Sequence, residues 1–144
     1  MQASLNSARP LALTVPDDRR LGLLSTISVE IIEDAANGPF RVTTRESIHE
    51  LVDLSTDPTK GDRLVAWHYH PGGPGVVYPH LHLPKALRRD DPWSIAKSHV
   101  PTGRVAFEDI ALYLIEELGV SPTRDGYRAQ LSDSRDLHAL HRSW

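Results

Sequence analysis

Two histidine pairs lie close together in this sequence, and a segment rich in glycine and proline separates them. The pairs occur in Trp67–His70 (WHYH) and Tyr78–His82 (YPHLH), with Pro71–Gly75 (PGGPG) between them. Because successive side chains of a strand point to opposite faces, each His-x-His pair places two imidazoles on one face. Two such strands joined by a Gly/Pro turn are typical of a β-hairpin. The segment therefore predicts a hairpin with a histidine face.

The length of the turn decides whether the two pairs share that face. A five-residue loop sets His68 opposite Tyr78 and Ala66 opposite His80, and all four histidines then lie together. Loops of seven or nine residues preserve this arrangement, whereas an even-numbered loop or a bulge divides the pairs between the faces. Convergence of His68, His70, His80 and His82 therefore depends on a turn that the sequence leaves open.

The other apolar patterns predict an α+β fold. Strands are expected at residues 23–32 and 40–54, and with the hairpin they form an antiparallel meander of about four strands. Apolar residues then recur at three- and four-residue steps over 105–118, which predicts an amphipathic helix ending at Gly119. A second helix is expected from Ser121-Pro122 toward the carboxyl end. These helices should cover the hairpin face opposite the histidines.

Length and composition indicate one domain over residues 1–144, with residues 1–22 as a loose arm or short helix. The absence of cysteine excludes disulfides and thiolate ligands, so any metal must be held by histidine, aspartate or glutamate. The amino-terminal apolar run is too short for a leader or a membrane span. We therefore expect a cytoplasmic protein without membrane partners.

The formal net charge of −3 indicates no overall attraction to nucleic acid, but one segment is locally basic. Between Pro84 and Arg104, five basic residues stand against Asp90 and Asp91. This segment either contacts a polyanion or is an ordinary solvated connection. A substrate-binding surface would use the following residues: Tyr78, Lys85, Arg88, Arg89, Lys97, His99 and Arg104.

The histidine face has three interpretations. The first is a metal site, with zinc as the foremost ion, formed by His68, His70, His80 and His82. Three of these histidines, or three with His99 or Asp62, would leave a coordination position open for hydrolysis. No carboxylate that would orient the ligands is evident from the sequence.

The second interpretation is metal-free acid/base cleavage of a phosphodiester. Imidazoles titrate near pH 6.5, so His80 and His82 could act as base and acid, in either order, with His68 and His70 beside them. The third interpretation is structural, with the rings buried and bonded to backbone. No chemical role is assigned to His49, His138 and His141, and the last two are expected on the surface of the terminal helix. The segment after His99 either contacts a phosphate or caps the following helix, and we favour the cap.

The order of these elements resembles the TumE-type toxins, small bacterial proteins found beside a helix-turn-helix partner. The residues that carry the resemblance are Trp67–His70, Pro79–His82 and the helix Phe107–Leu118, within residues 40–118. The resemblance implies a toxin that acts on RNA or translation and is controlled by an antitoxin. We therefore expect a small toxin-like ribonuclease, or alternatively a non-catalytic module that binds a metal or a partner through the same face.

Overall fold

The computed structural model describes residues 2–4, 9–33, 38–71, 76–84 and 98–141. These residues form seven strands and two helices. In chain order the elements are β1 (Gln2–Ser4), β2 (Leu11–Leu13), β3 (Leu21–Glu33), β4 (Phe40–Asp53), β5 (Asp62–Tyr69), β6 (His80–His82), β7 (His99–Pro101), α1 (Phe107–Glu116) and α2 (Tyr127–His141).

The strands form one antiparallel sheet in the order β1-β3-β4-β5-β6-β7, and β2 also pairs with β3. The α+β class and the antiparallel sheet are thus confirmed. The expected number of about four strands is too low, because β1, β2 and β7 add three further strands of three residues each. Such short strands carry too few residues to show a period-two pattern.

The amino-terminal segment was expected to be a loose arm or short helix, and this expectation is wrong for its described residues. Leu11 pairs with Leu23 and Leu13 pairs with Leu21, while β1 pairs with a later part of β3. Leu13 and Val15 also pack against the core. Although the apolar run is short, pairing with the long β3 strand satisfies backbone groups of β2, and Leu13 and Val15 become partly buried.

The long second strand is confirmed as β4, which pairs with β3 over nearly its whole length. The register shifts between Ser28 and Val29, because Ser28 opposes Glu46 and Val29 opposes Thr44. The extra residue, Arg45, is therefore a β-bulge. A second shift lies between Leu51 and Val52 where β4 pairs with β5, and it offsets Leu64 from the ladder.

Helix α1 supplies the apolar stripe that the sequence predicts. Ile110 and Leu114 are buried against Leu21, Leu23 and Leu51, and these five residues form the core cluster. The helix ends before Gly119, which adopts a φ of +73°. The N–H of Val120 then donates to the Leu114 carbonyl at 3.0 Å, which satisfies a carbonyl of the last turn.

Helix α2 begins later than expected. It starts at Tyr127, directly after Gly126 with its φ of +75°, and Ser121-Pro122 lies in the connection that precedes it. The Ser121 N–H donates to the Thr14 carbonyl at 2.8 Å, so this residue ties the connection to the amino-terminal segment. Neither described helix has the length and apolar character needed to span a bilayer.

The two faces of the sheet have different roles. Val65 and Trp67 of β5 pack against the core cluster under α1, as the sequence predicts for the face opposite the histidines. Trp67 also contacts Tyr113 of α1 edge to face, with 6.0 Å between ring centroids. Because side chains alternate along β5, His68 lies on the other face. Helix α1 therefore packs on the face of the sheet opposite His68, and the histidines lie on the other face.

Candidate metal centre

The register between β5 and β6 brings the two histidine pairs to one face. His68 opposes His80 and Ala66 opposes His82. This is the register that the sequence predicts for a seven-residue loop, one of the odd-numbered lengths for which all four histidines converge. Cross-strand partners share a face, so His68, His80 and His82 lie together, and the His70 ring joins them just beyond the end of β5.

A fifth histidine comes from the next strand. β7 pairs with β6 so that His99 opposes His82, and the His99 ring lies 4.7 Å from the rings of both His80 and His82. The expectation that the segment after His99 caps the helix is wrong, because Ala106 is the N-cap residue. The Ala106 N–H donates to the Asp109 carboxylate at 3.2 Å, which caps α1 without residues 99–104.

We call these five residues the histidine cluster: His68, His70, His80, His82 and His99. His80 lies at its centre, with ring centroids between 4.7 and 5.6 Å from those of the other four. The rings meet edge to face, which is a favourable arrangement for aromatic groups. Only 1% of His80 is exposed. The histidine face was expected to be open, and it is not open at His80, because the neighbouring rings cover it.

Three members of the histidine cluster point ligand atoms at one another. One nitrogen from each of His68, His80 and His82 lies within 4.8 Å of the other two. The Nε2 atoms of His80 and His82 are 3.1 Å apart. Two imidazole ligands of a tetrahedral zinc ion lie about 3.3 Å apart when each Zn–N bond is about 2.05 Å. The pair is therefore close to the spacing that a shared ion requires.

The hydrogen bond of His80 determines which nitrogen faces the cluster. Its Nδ1–H donates to the Tyr78 carbonyl at 2.8 Å, so Nε2 presents a lone pair toward His82. Metal-binding histidines commonly donate their second nitrogen to a carbonyl or carboxylate in this way. His68 Nε2 is buried and has no hydrogen-bond partner among the described residues. An unpartnered buried polar atom is costly unless a further group binds there.

His70, which the sequence groups with the other three as a ligand, is not part of the convergent set. Its ring lies 5.1 Å from that of His80 and 6.1 Å from that of His68. The three atoms that converge belong to His68, His80 and His82 alone among the described residues. His70 follows the last residue of β5, so the ladder does not hold it as it holds His68.

A carboxylate that the sequence did not reveal lies beside the cluster. Glu50 of β4 opposes Ala66, and one of its oxygens is 3.9 Å from His68 Nε2 and 3.2 Å from Arg63 Nη1. The interactions with His68 and Arg63 lower the pKa of the Glu50 carboxyl, although burial acts in the opposite direction. Glu50 is therefore ionised near neutral pH, and it places a negative charge beside the histidine cluster, where a cation would be attracted. Its position depends on the β4–β5 register, which one sequence does not show.

Burial keeps the central rings neutral. It lowers the pKa of His82 to about 4, and the nearby His68, His80 and His99 act in the same direction. Burial also lowers the pKa of His80, against the effect of its hydrogen bond to Tyr78. Neutral imidazole is the form that binds metal ions, so no proton must be removed from either ring near pH 7.

The predicted substrate-binding residues are only partly described. Tyr78 is 43% exposed, and its ring lies 6.1 Å from that of His80. Arg104 lies over the Tyr69 ring at 4.7 Å. Asp62, which the sequence offers as an additional metal ligand, lies at the far end of β5, about 20 Å along the strand from His68, and accepts a hydrogen bond from Thr56 there. The prediction that it joins the metal site is therefore wrong. The remaining candidates lie outside the described residues: Lys85, Arg88, Arg89 and Lys97.

The structural role predicted for His49 agrees with its position on the core face. It opposes Trp67, is 2% exposed, and its Nδ1 lies 2.8 Å from the Ser25 hydroxyl. His138 belongs to α2. The side chain of His141 lies outside the described residues.

Comparisons with family models, with curated proteins and with solved structures returned no match to this chain.

Proposed function

We propose that this chain binds one divalent transition-metal ion through His68, His80 and His82. The observation that carries the proposal is the convergence of one ligand nitrogen from each ring within 4.8 Å. Two neighbouring strands hold these side chains, so binding requires little rearrangement. The hydrogen bond to Tyr78, the unpartnered His68 Nε2 and the nearby Glu50 carboxylate support the same conclusion.

The ligand chemistry favours zinc. Imidazole suits zinc, copper, nickel and iron, and a chain without cysteine offers none of the thiolates that dominate closed structural zinc sites. Three histidine ligands leave the fourth tetrahedral position open to water, which is the arrangement of catalytic zinc sites. The zinc ion would supply a polarised water at that position.

The first prediction concerns zinc stoichiometry. We expect the purified chain to bind about one zinc ion, and His82→Ala to weaken binding at least tenfold. The reason is that even the loss of an orienting outer residue commonly costs about 10- to 100-fold in metal affinity. His138→Ala, which changes a histidine of α2, should bind like the unaltered chain. Elemental analysis followed by competition with a coloured chelator measures both quantities.

A chain that is free of zinc after purification and also takes up none from solution would refute the proposal. Equal affinity in His82→Ala and His138→Ala would show that zinc binds elsewhere. Loss of zinc binding in both variants would also count against the proposed site, because His138 is not part of the histidine cluster.

We propose cleavage of RNA phosphodiesters on the same face as a second function. What favours it is the exposed Tyr78 ring beside the cluster, since exposed aromatic rings stack on unpaired bases. The resemblance to TumE-type toxins points to the same substrate and to a helix-turn-helix antitoxin. The toxin role and the antitoxin stay predictions.

The burial of the cluster favours a metal-bound water over a pair of catalytic imidazoles for this reaction. His80 is too buried to contact a phosphodiester. His82, with its pKa near 4, is neutral at pH 7 and is a poor proton donor there. A zinc ion held by the three histidines would lower the pKa of its bound water to near 7 and so would supply hydroxide. This route requires neither contact between His80 and the RNA nor a proton from His82.

The second prediction therefore concerns chelator dependence. Cleavage of single-stranded RNA should be lost in the presence of a chelator and return when zinc is added. Tyr78→Ala should reduce cleavage about tenfold, since one stacked base contributes about 1–3 kcal/mol. Tyr113→Ala is the matched control, because Tyr113 is 40% exposed on α1, across the sheet from the cluster. Gel electrophoresis of labelled RNA provides the rates.

If the cleavage rate is the same with and without chelator and follows a bell-shaped pH profile, the reaction uses metal-free acid/base chemistry instead. Absence of cleavage by the zinc-loaded chain would remove the second function and leave the metal proposal intact.

A further inference from the structure

An apolar cavity of about 390 Å³ lies on the α1 side of the sheet, away from the histidine cluster. Leu23 and Leu114 of the core cluster line it, and Tyr127 and Leu131 of α2 line it as well. The cavity therefore lies where the core cluster meets the second helix. It is independent of the proposed metal site, because the sheet separates the two.

The size and lining of this cavity favour an organic ligand over water. The cavity is a cleft open to solvent on one side, and most of the surface that lines it is apolar. Volumes of about 300–1,000 Å³ with mostly apolar walls are typical of small-molecule sites. At about 30 Å³ for each non-hydrogen atom, the cavity holds roughly a dozen such atoms.

The charge of the ligand is indicated by Arg124, which lines the same cavity. Two later arginines are neutralised by α1, since Arg128 pairs with Glu116 at 2.9 Å and Arg135 pairs with Asp109 at 2.8 Å. Arg124 has no ion pair with any residue in the described ranges. The first turn of α2 also lacks acidic residues. Asp125 is next to Arg124 in the chain but does not line the cavity, so the guanidinium is the charge that faces it, and this favours an anionic group.

We propose that this cavity binds a linear carboxylate with an apolar tail of roughly ten carbons. The tail would contact Leu23, Leu114 and Leu131, and the carboxylate would pair with Arg124. This assignment does not rest on the metal site. Ala111 also lines the cavity and is partly buried, so a large side chain at this position would occupy the space of the tail.

The third prediction uses decanoate as the probe, with the full chain studied by isothermal titration calorimetry. We expect saturable binding of one decanoate, weakened about threefold to fivefold by Arg124→Gln, since Arg124 is exposed and solvent screens its ion pair with the carboxylate. Arg128→Gln is the matched control, because Arg128 pairs with Glu116 and does not line the cavity. Ala111→Phe should abolish binding, and decyltrimethylammonium should bind more weakly than decanoate.

Absence of saturable decanoate binding by the unaltered chain would overturn the proposal. Equal losses in Arg124→Gln and Arg128→Gln would also overturn it, because the effect would then be one of overall charge. If Ala111→Phe does not fold, the comparison of the two arginine variants still decides the outcome. Binding that persists after chelation of metal separates this site from the histidine cluster.

Discussion

Replacement of Ile110 by alanine should lower the free energy of unfolding by about 3–4 kcal/mol. Ile110 is 1% exposed and packs with Leu114 of α1 against leucines of β3 and β4. Its truncation removes apolar contacts between the helix and the sheet and leaves a cavity that the long β3–β4 pair cannot close. The midpoint of thermal unfolding should fall by roughly 10 °C. Chemical and thermal denaturation followed by circular dichroism measure both changes.

Ile31→Ala is the matched control, because it removes the same atoms from a side chain that is 57% exposed on β3. Its effect should lie within about 0.5 kcal/mol. Both variants should bind zinc normally below their unfolding midpoints, since the histidine cluster lies on the opposite face from Ile110. Equal destabilisation by the two substitutions would contradict the assignment of the core to the α1 face.

The features that the sequence predicted correctly are those with a long repeating pattern or a local chemical rule. The stripe of α1 repeats over three turns, and Gly119 ends it as expected. β4 is fourteen residues long, and burial alternates along its second half, from Glu46 to Leu51. The shared histidine face was predicted because any odd-numbered loop length places both pairs on one face. In the structure, His68 opposes His80 as such a loop requires.

The features that the sequence did not predict depend on strand register or on contacts between distant segments. Glu50 comes beside His68 only because β4 and β5 pair with a shift between Leu51 and Val52. His99 was considered as a ligand, but the strand that brings it to the cluster was not predicted, because β7 has three residues and no pattern of its own. Tertiary pairing decides such positions, so local propensity could not show them.

The separation of the two sheet faces also gives neighbouring histidines different roles. His68 and His49 belong to adjacent pairs of the β4–β5 ladder, in which Ile48 opposes His68 and His49 opposes Trp67. Alternation sends His49 into the core, where its ring lies 5.9 Å from that of Phe107. The stability of the fold and the chemistry of the site can therefore be altered independently.

Acid should destabilise the chain through His49. Burial, with a smaller effect of His68, lowers the pKa of His49 from 6.5 to about 4, although Glu108 acts in the opposite direction. The unfolded chain therefore binds a proton at higher pH than the folded chain does. The contribution of His49 to stability is complete above pH 6.5 and is lost as the pH falls toward 4. Between pH 7 and pH 5 the loss should be about 2 kcal/mol.

Urea denaturation at both pH values, in the presence of a chelator, tests this expectation. In His49→Gln, the loss of stability between pH 7 and pH 5 should be smaller than in the unaltered chain by about 2 kcal/mol. His138→Gln, which removes an imidazole from α2, should retain the full dependence on pH. His82 also has a pKa lowered to about 4, but it titrates in all three proteins and cancels from the comparison. An unchanged pH dependence in His49→Gln would show that His49 is not held neutral in the core, and that the acid sensitivity arises from the histidine cluster on the other face.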